Sequence, residues 1–146
     1  MQPSSEIPPH VDRPARARWP CVALGGYWLA LCAATHWPNP WPAGGTPDYP
    51  DKLIHFTAYG ILAFLAVFAL GACCQNQNRR AWAWRSLAAL AAVIAYGLLD
   101  EFTQPWTGRD FDWFDWAADI GGATLGAALS MLWQLKGGRM KAGNPF

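Results

Sequence analysis

Charged residues are scarce in this sequence. They make up 14% of the 146 residues, against roughly a quarter in an average soluble protein. The charges gather in the tails and connections and leave apolar runs of about the 20 residues that cross a bilayer. These runs are apolar all round, whereas a surface helix of a soluble bundle is apolar on one face. The composition therefore favours a membrane protein over a soluble helical bundle.

The residue patterns of several common chemistries are also missing. The sequence has no zinc-ligand spacing, no nucleophile elbow and no glycine-rich phosphate loop. It has no basic patch interleaved with aromatic residues, so nothing supports a nucleic-acid partner. The four cysteines lie within or at the end of apolar runs, where cysteine usually packs as a small hydrophobic residue.

Four apolar runs predict an all-α, four-helix transmembrane bundle over residues 19–135. The runs extend from Trp19 to about Trp37, from Leu53 to Cys74, from about Ala81 to Gln104, and from about Asp112 to Leu135. Residues 1–18 are rich in proline and arginine and predict a disordered tail, while residues 136–146 form a short basic tail. A cleaved signal peptide is the alternative for the first run, because three arginines precede a short apolar core.

The basic residues predict the orientation of this bundle. All except Lys52 and Arg109 form three clusters, which are Arg13, Arg16 and Arg18; Arg79, Arg80 and Arg85; and Lys136, Arg139 and Lys141. Because basic loops stay inside, both termini and the middle loop are predicted to be cytoplasmic. Residues 36–52 and 106–115 are then outside. We expect a multi-pass protein of the plasma (inner) membrane.

Polar residues gather near the predicted outer ends of three helices. In chain order they are Lys52, His55 and Tyr59, then Asp100, Glu101 and Gln104, and then Asp112, Asp115 and Asp119. At 1.5 Å per residue from the cytoplasmic ends, His55, Glu101 and Asp119 all lie about 24–30 Å deep. A hydrocarbon core is about 30 Å thick, so we expect the three side chains in one outer layer.

A stripe of acids and glycines follows the fourth helix. Asp112, Asp115, Asp119, Gly122 and Gly126 repeat at alternating spacings of three and four residues. This spacing puts them on one helical face. The small residues four apart allow a neighbouring helix to approach closely, so the stripe is predicted to face protein and not lipid.

The polar layer has a structural and a functional interpretation. In the structural one, Asp112 and Asp115 cap the fourth helix, and Asp119 pairs with Arg109 or Lys52. In the functional one, an outward-opening pocket binds a divalent cation or holds a general base. Its best catalytic candidates are His55, Glu101, Asp115 and Asp119. The other candidate binding residues are Lys52, Tyr59, Asp100, Gln104, Arg109 and Asp112, of which Lys52 and Arg109 could hold a phosphate.

The order and spacing of these residues resemble a known family. The sequence contains Asp51-Lys52-x-x-His55-Phe56-x-x-Tyr59, then Asp100-Glu101-x-x-Gln104, then Gly108-Arg109-x-x-Asp112-x-x-Asp115-x-x-x-Asp119-x-x-Gly122-x-x-x-Gly126. Over roughly residues 20–135 the chain resembles the VanZ-like family, small bacterial membrane proteins named after a teicoplanin-resistance protein. The resemblance implies a cell-envelope membrane protein linked to glycopeptide tolerance and antibiotic resistance, with no settled reaction. Asp119 departs from the family pattern, which more often has asparagine there.

Three functions fit these expectations. The first is a binding protein for a membrane lipid, a lipid-linked cell-wall precursor or an amphiphilic antibiotic. The second is an enzyme that acts on a lipid-phosphate headgroup and uses the acids with a divalent cation, the one cofactor that the sequence suggests. The third is a small proton-coupled transporter, which is disfavoured because the inner halves of the helices carry no polar path. A homo-oligomer is compatible with each.

Overall fold

The computed structural model describes residues 18–37, 48–73 and 78–137. Within these ranges the chain folds into four α-helices and no β-strand, which confirms the all-α prediction. The helices are α1 (Trp19–Thr35), α2 (Asp48–Cys73), α3 (Arg79–Thr103) and α4 (Trp113–Lys136), with a 3-10 turn over Gln104–Thr107. The predicted disordered tail lies outside the described residues except for Arg18, and most of the basic C-terminal tail lies outside them too.

The start of α2 differs from the sequence prediction. The apolar run predicts a helix from Leu53, but the helix begins at Asp48. Pro50 therefore lies in the first turn, where a helix needs no backbone N–H and proline is tolerated. Asp51 and Lys52 are consequently part of the helix.

The connection from α3 to α4 is short and tightly wound. The predicted third run ends at Gln104, and α3 ends one residue earlier, at Thr103. The 3-10 turn that follows closes at Gly108, whose φ of 80° lies in the left-handed region that glycine tolerates. Asp112 then caps α4 as predicted, because its Oδ1 accepts a 2.8 Å hydrogen bond from the N–H of Phe114. The connection thus returns the chain directly over the ends of α2 and α3.

The most extensive helix contact in the fold joins α2 and α4. Gly122 and Gly126 lie in this contact, where an added Cβ would overlap the carbonyl oxygens of Phe56 and Gly60, respectively. At the other end of the same contact, Gln134 donates a hydrogen bond of 3.1 Å to the carbonyl of Val67. The backbones of α2 and α4 therefore approach closely along much of their length.

Apolar side chains cover the outside of the described helices. Val22, Leu99 and Trp133 are more than half exposed, whereas Glu101 and Asp119 are fully buried. This is the reverse of the usual arrangement in soluble proteins. Two segments, Asp51–Cys73 and Arg79–Thr107, are long and apolar enough to cross a membrane, with mean hydropathies of 2.1 and 1.4.

Replacing Gly122 with alanine is expected to lower the melting temperature in detergent micelles. The added Cβ would overlap a backbone oxygen that cannot rotate away, and such overpacking typically costs about 1–3 kcal/mol. Gly26→Ala is the matched control, because a Cβ at that helical glycine meets nothing within 4 Å. Equal melting temperatures for the two variants would contradict the close approach of α2 and α4.

Candidate functional site

The candidate site is centred on the imidazole of His55. Its Nδ1 lies 3.1 Å from Oδ1 of Asp119 and 3.7 Å from Oε1 of Glu101. All three side chains are at least 95% buried. Because they project from α2, α4 and α3, the structure brings together the three residues that the sequence placed at one depth. We call His55, Glu101 and Asp119 the His55 cluster.

Glu101 is held by the connection that follows it. Gln104 Nε2 donates to Oε1 at 3.0 Å, and the backbone N–H of Asp112 donates to Oε2 at 3.2 Å. The 3-10 turn and the start of α4 therefore fix both carboxylate oxygens. Because Gln104 is itself fully buried, these bonds lie away from water and hold the carboxylate in one orientation.

The two basic residues near the site pair with acids at its rim. Lys52 Nζ donates to Asp112 Oδ2 at 3.0 Å and to Asp115 Oδ1 at 3.3 Å, and Arg109 Nη2 lies 3.6 Å from Asp51 Oδ1. The expectation that Lys52 or Arg109 pairs with Asp119 is therefore wrong. Lys52 and Arg109 form their ion pairs closer to the ends of the helices than Asp119. Asp119 lies deeper and pairs with His55 instead.

Asp100 faces a different neighbour from Glu101. Thr35 Oγ1 donates to Asp100 Oδ1 at 2.9 Å, and His36 Nδ1 lies 3.6 Å from the same oxygen. Consecutive helical residues point about 100° apart, so Asp100 faces α1 while Glu101 faces α2 and α4. No pattern in the sequence had indicated Thr35 or His36, because the face that α1 turns toward α3 has no local signal.

Tyr59 follows His55 by one helical turn and lies on the same face of α2. The two rings are nearly parallel, with an interplanar angle of 4° and centroids 6.4 Å apart. Tyr59 is fully buried, and its hydroxyl has no hydrogen-bond partner among the described residues. Gly97 of α3 leaves room here, since a Cβ on it would lie 3.1 Å from both the Tyr59 ring and Asp119 Oδ2. No sequence pattern had indicated Gly97.

A cavity of about 170 Å³ reaches His55 from between α1 and α2. Its lining surface is mainly apolar, with Leu31 and Tyr59 among the contributors, and its polar lining residues are Thr35, Asp51, His55 and Arg109. We call this space the polar cavity because it borders these residues. Arg109 and His55, which the sequence had indicated as candidate site residues, both line this cavity.

A larger apolar groove continues along the same side of the bundle. It has a volume of about 540 Å³ and is lined by α1, α2 and α3. Trp28 and Leu62 line this groove. Each lies about one helical turn farther from the His55 cluster than a residue of the polar cavity on the same helix, which is Leu31 on α1 and Tyr59 on α2. The two spaces therefore follow each other along the contact of α1 with α2.

Asp112 provides a test of the electrostatics at the rim. The hydrogen bond from the Phe114 N–H has the largest effect and holds the pKa of Asp112 below its usual 3.8. Burial opposes it with the next-largest effect, and the hydrogen bond and charge attraction to Lys52 add to the lowering of the pKa. Because the folded-state pKa is the lower one, its stabilisation is present above pH 3.8 and is lost as the pH falls through the folded-state pKa.

Asp112→Asn keeps a capping side chain and removes the charge. We expect its melting temperature to be lower than that of the wild type at neutral pH, with the difference shrinking toward zero in acid, where the wild-type carboxyl is also neutral. Melting curves from pH 7 to about pH 3 would measure this. Asp110→Asn, at an exposed position, should follow the wild type throughout. A difference that grows as the pH falls would show the opposite linkage.

A family model described as VanZ/LLP1 matches residues 23–134. No curated protein and no solved structure matches the chain. The family match spans α1 to α4 and includes every residue of the His55 cluster. Since it covers well over half of the sequence, the chain belongs to the VanZ/LLP1 family.

Proposed function

We propose that this protein binds an amphiphile of the bacterial cell envelope, either a membrane lipid or a lipid-linked cell-wall precursor. In this proposal α1 to α4 all cross the plasma membrane, both termini are cytoplasmic, and the His55 cluster lies near the outer surface. The amphiphile would place its head group in the polar cavity and its hydrocarbon chain in the apolar groove.

The distribution of basic residues supports this orientation. Arg18 directly precedes α1, Arg79 and Arg80 begin α3, and Lys136 ends α4. Contacts between Trp19 and Phe68 and between Gln134 and Val67 bring these helix ends to the same side of the bundle. Basic residues favour the cytoplasmic side, so the acids at the opposite end would face outward.

The main support for the proposal is that the polar cavity and the apolar groove lie next to each other along α1 and α2. The cavity has Asp51, His55 and Arg109 among its lining residues, within a surface that is otherwise mainly apolar. The groove presents chiefly apolar side chains, such as those of Trp28 and Leu62. Binding sites of this kind combine an apolar lining with a few polar groups that fix orientation. A ligand with a polar end and a hydrocarbon chain matches both parts.

The polar cavity favours a head group that carries both hydrogen-bond donors and acceptors. Arg109 can donate two parallel hydrogen bonds to a phosphate, while Asp51 can accept from a hydroxyl or an ammonium group. An acylated glycopeptide has the same two-part shape as a lipid. The glycopeptide tolerance that the family resemblance implies would follow if such an antibiotic occupied the same site.

Mass spectrometry of lipids that co-purify with the protein would test this proposal. We expect one head-group class to be enriched over the bulk membrane. Ala34→Trp and Ala92→Trp should reduce that enrichment several-fold, because these residues line the cavity and the groove, respectively. Ala33→Trp and Ala91→Trp are matched controls, since their positions are also exposed but line neither space.

Two outcomes would contradict binding as the function. A wild-type lipid profile equal to that of the bulk membrane would remove the amphiphile. Conversion of the enriched lipid by the wild type, but not by a folded Glu101→Gln variant, would indicate the headgroup enzyme instead. Adding an acylated glycopeptide to the same preparations shows whether it displaces the lipid from the wild type and from the control variants.

A further inference from the structure

We propose that the His55 cluster binds one divalent transition-metal ion, with zinc as the best match, through one atom each of His55, Glu101 and Asp119. This inference goes beyond the binding of an amphiphile and does not depend on it. An ion at this position would join α2, α3 and α4 at a single point.

The geometry of the cluster suits a single ion. One donor atom from each of His55, Glu101 and Asp119 lies within 4.8 Å of the other two. Ligands 2.0–2.2 Å from a common zinc ion are typically about 3–4 Å apart, so modest side-chain rotation is sufficient. The three residues are buried and lie on different helices, which makes the arrangement a consequence of the fold and not of a flexible surface.

The distribution of charge favours the His55 cluster as the metal site over the neighbouring acids. Lys52 pairs with Asp112 and Asp115, and Arg109 pairs with Asp51. In the described part of the chain, no lysine or arginine forms an ion pair with Glu101 or Asp119. These two carboxylates have only His55 as a basic neighbour, so their burial leaves a deficit of positive charge. An isolated buried carboxylate is very unfavourable unless it takes up a proton, is paired or binds a metal.

A second candidate group of three ligands also contains His55, with Asp51 and Asp115. Its acids already pair with Arg109 and Lys52, and the Asp51 side chain is 40% exposed. Water and the neighbouring cations therefore satisfy this group. The acids of the His55 cluster are more deeply buried and have no lysine or arginine partner among the described residues. This cluster is therefore the better candidate for an ion.

An unsatisfied atom provides independent support. Asp119 is 1% exposed, and its Oδ2 has no hydrogen-bond partner among the described residues. A proton on Oδ1 of Asp119 could be donated to His55 Nδ1, but Oδ2 would still have no hydrogen-bond partner in the described part of the chain. Coordination of a cation would satisfy the carboxylate and supply the missing positive charge together.

The surroundings of the cluster already orient its ligands. Gln104 and the backbone N–H of Asp112 hold the two oxygens of Glu101, and the ring of Tyr59 lies parallel to the ring of His55. Metal ligands in proteins are commonly held by such neighbouring hydrogen bonds. The same contacts would limit the reorganisation that accompanies ion binding.

The donor set selects the class of ion. An imidazole nitrogen suits zinc, copper, nickel or iron, whereas magnesium, calcium and manganese prefer oxygen ligands. Three protein ligands leave one position of a tetrahedral zinc ion open, as in sites that also bind another molecule. On binding, the ion would replace the proton that His55 Nδ1 shares with Asp119, and that proton would pass to solvent.

Metal analysis of tag-free protein is the first test. We expect about one zinc ion per chain after gel filtration in detergent, because three ligands of this kind form a defined site. Asp119→Asn and Glu101→Gln should each lower the zinc content at least tenfold, since each removes a ligand charge while keeping the side-chain shape. Asp110→Asn, an exposed acid outside the cluster, should retain it.

Thiols need a separate control in this experiment. The Sγ atoms of Cys21 and Cys73 lie 2.8 Å apart, and cysteine thiolates also bind zinc. The Cys21→Ser/Cys73→Ser double variant should keep the full zinc content. Loss of zinc from this variant, with retention in Asp119→Asn, would overturn the assignment to the His55 cluster.

Thermal stability of the wild type provides a test that needs no variant to fold. Chelator-treated protein should melt at a higher temperature when zinc is added, because an ion that binds only the folded state stabilises it. Manganese should have a smaller effect, and magnesium and calcium should have little. An unchanged melting temperature with every ion, together with no zinc in the purified wild type, would overturn the proposal.

Discussion

The close contact of α2 with α4 is the constraint on which the site depends. Gly122 and Gly126 leave no side chain between the two backbones, so the helices approach closely enough for His55 to reach Asp119 directly. In lipid, where no hydrophobic force draws helices together, small residues and interhelical hydrogen bonds provide much of the association. Packing and polar contact therefore support each other on a single helical face.

Burying so many acids is unfavourable, and the basic partners that offset their negative charge are unevenly distributed. At the rim, Asp51, Asp112 and Asp115 pair with Lys52 or Arg109, and such partly exposed pairs add little stability. Deeper in the bundle, Glu101 and Asp119 depend on one imidazole. Ionisable residues within membrane helices usually serve a function. The unequal compensation therefore directs attention to His55 and to the cavity beside it, where an ion and a polar head group would lie close together.

Much of the site could be anticipated because helices are regular. A rise of 1.5 Å per residue puts His55, Glu101 and Asp119 at one depth, and the structure has them in contact. The same regularity could not show which neighbour each residue faces. Asp100 and Glu101 are adjacent in sequence, yet one bonds to Thr35 of α1 and the other to Gln104 and the start of α4. The direction of α1 depends on packing that no local pattern records.

The sequence by itself determined the helical class, the positions of most helix ends, the capping role of Asp112 and the family. These features depend on local chemistry: apolar run length, proline placement and the spacing of polar residues along one helix. Only the tertiary structure decided that His55 is the partner of Asp119, that Gly97 makes room for Tyr59, and that a polar cavity adjoins an apolar groove. Each of these requires the rotation of one helix relative to another, and that rotation is set by side chains distant in sequence that come into contact only after folding.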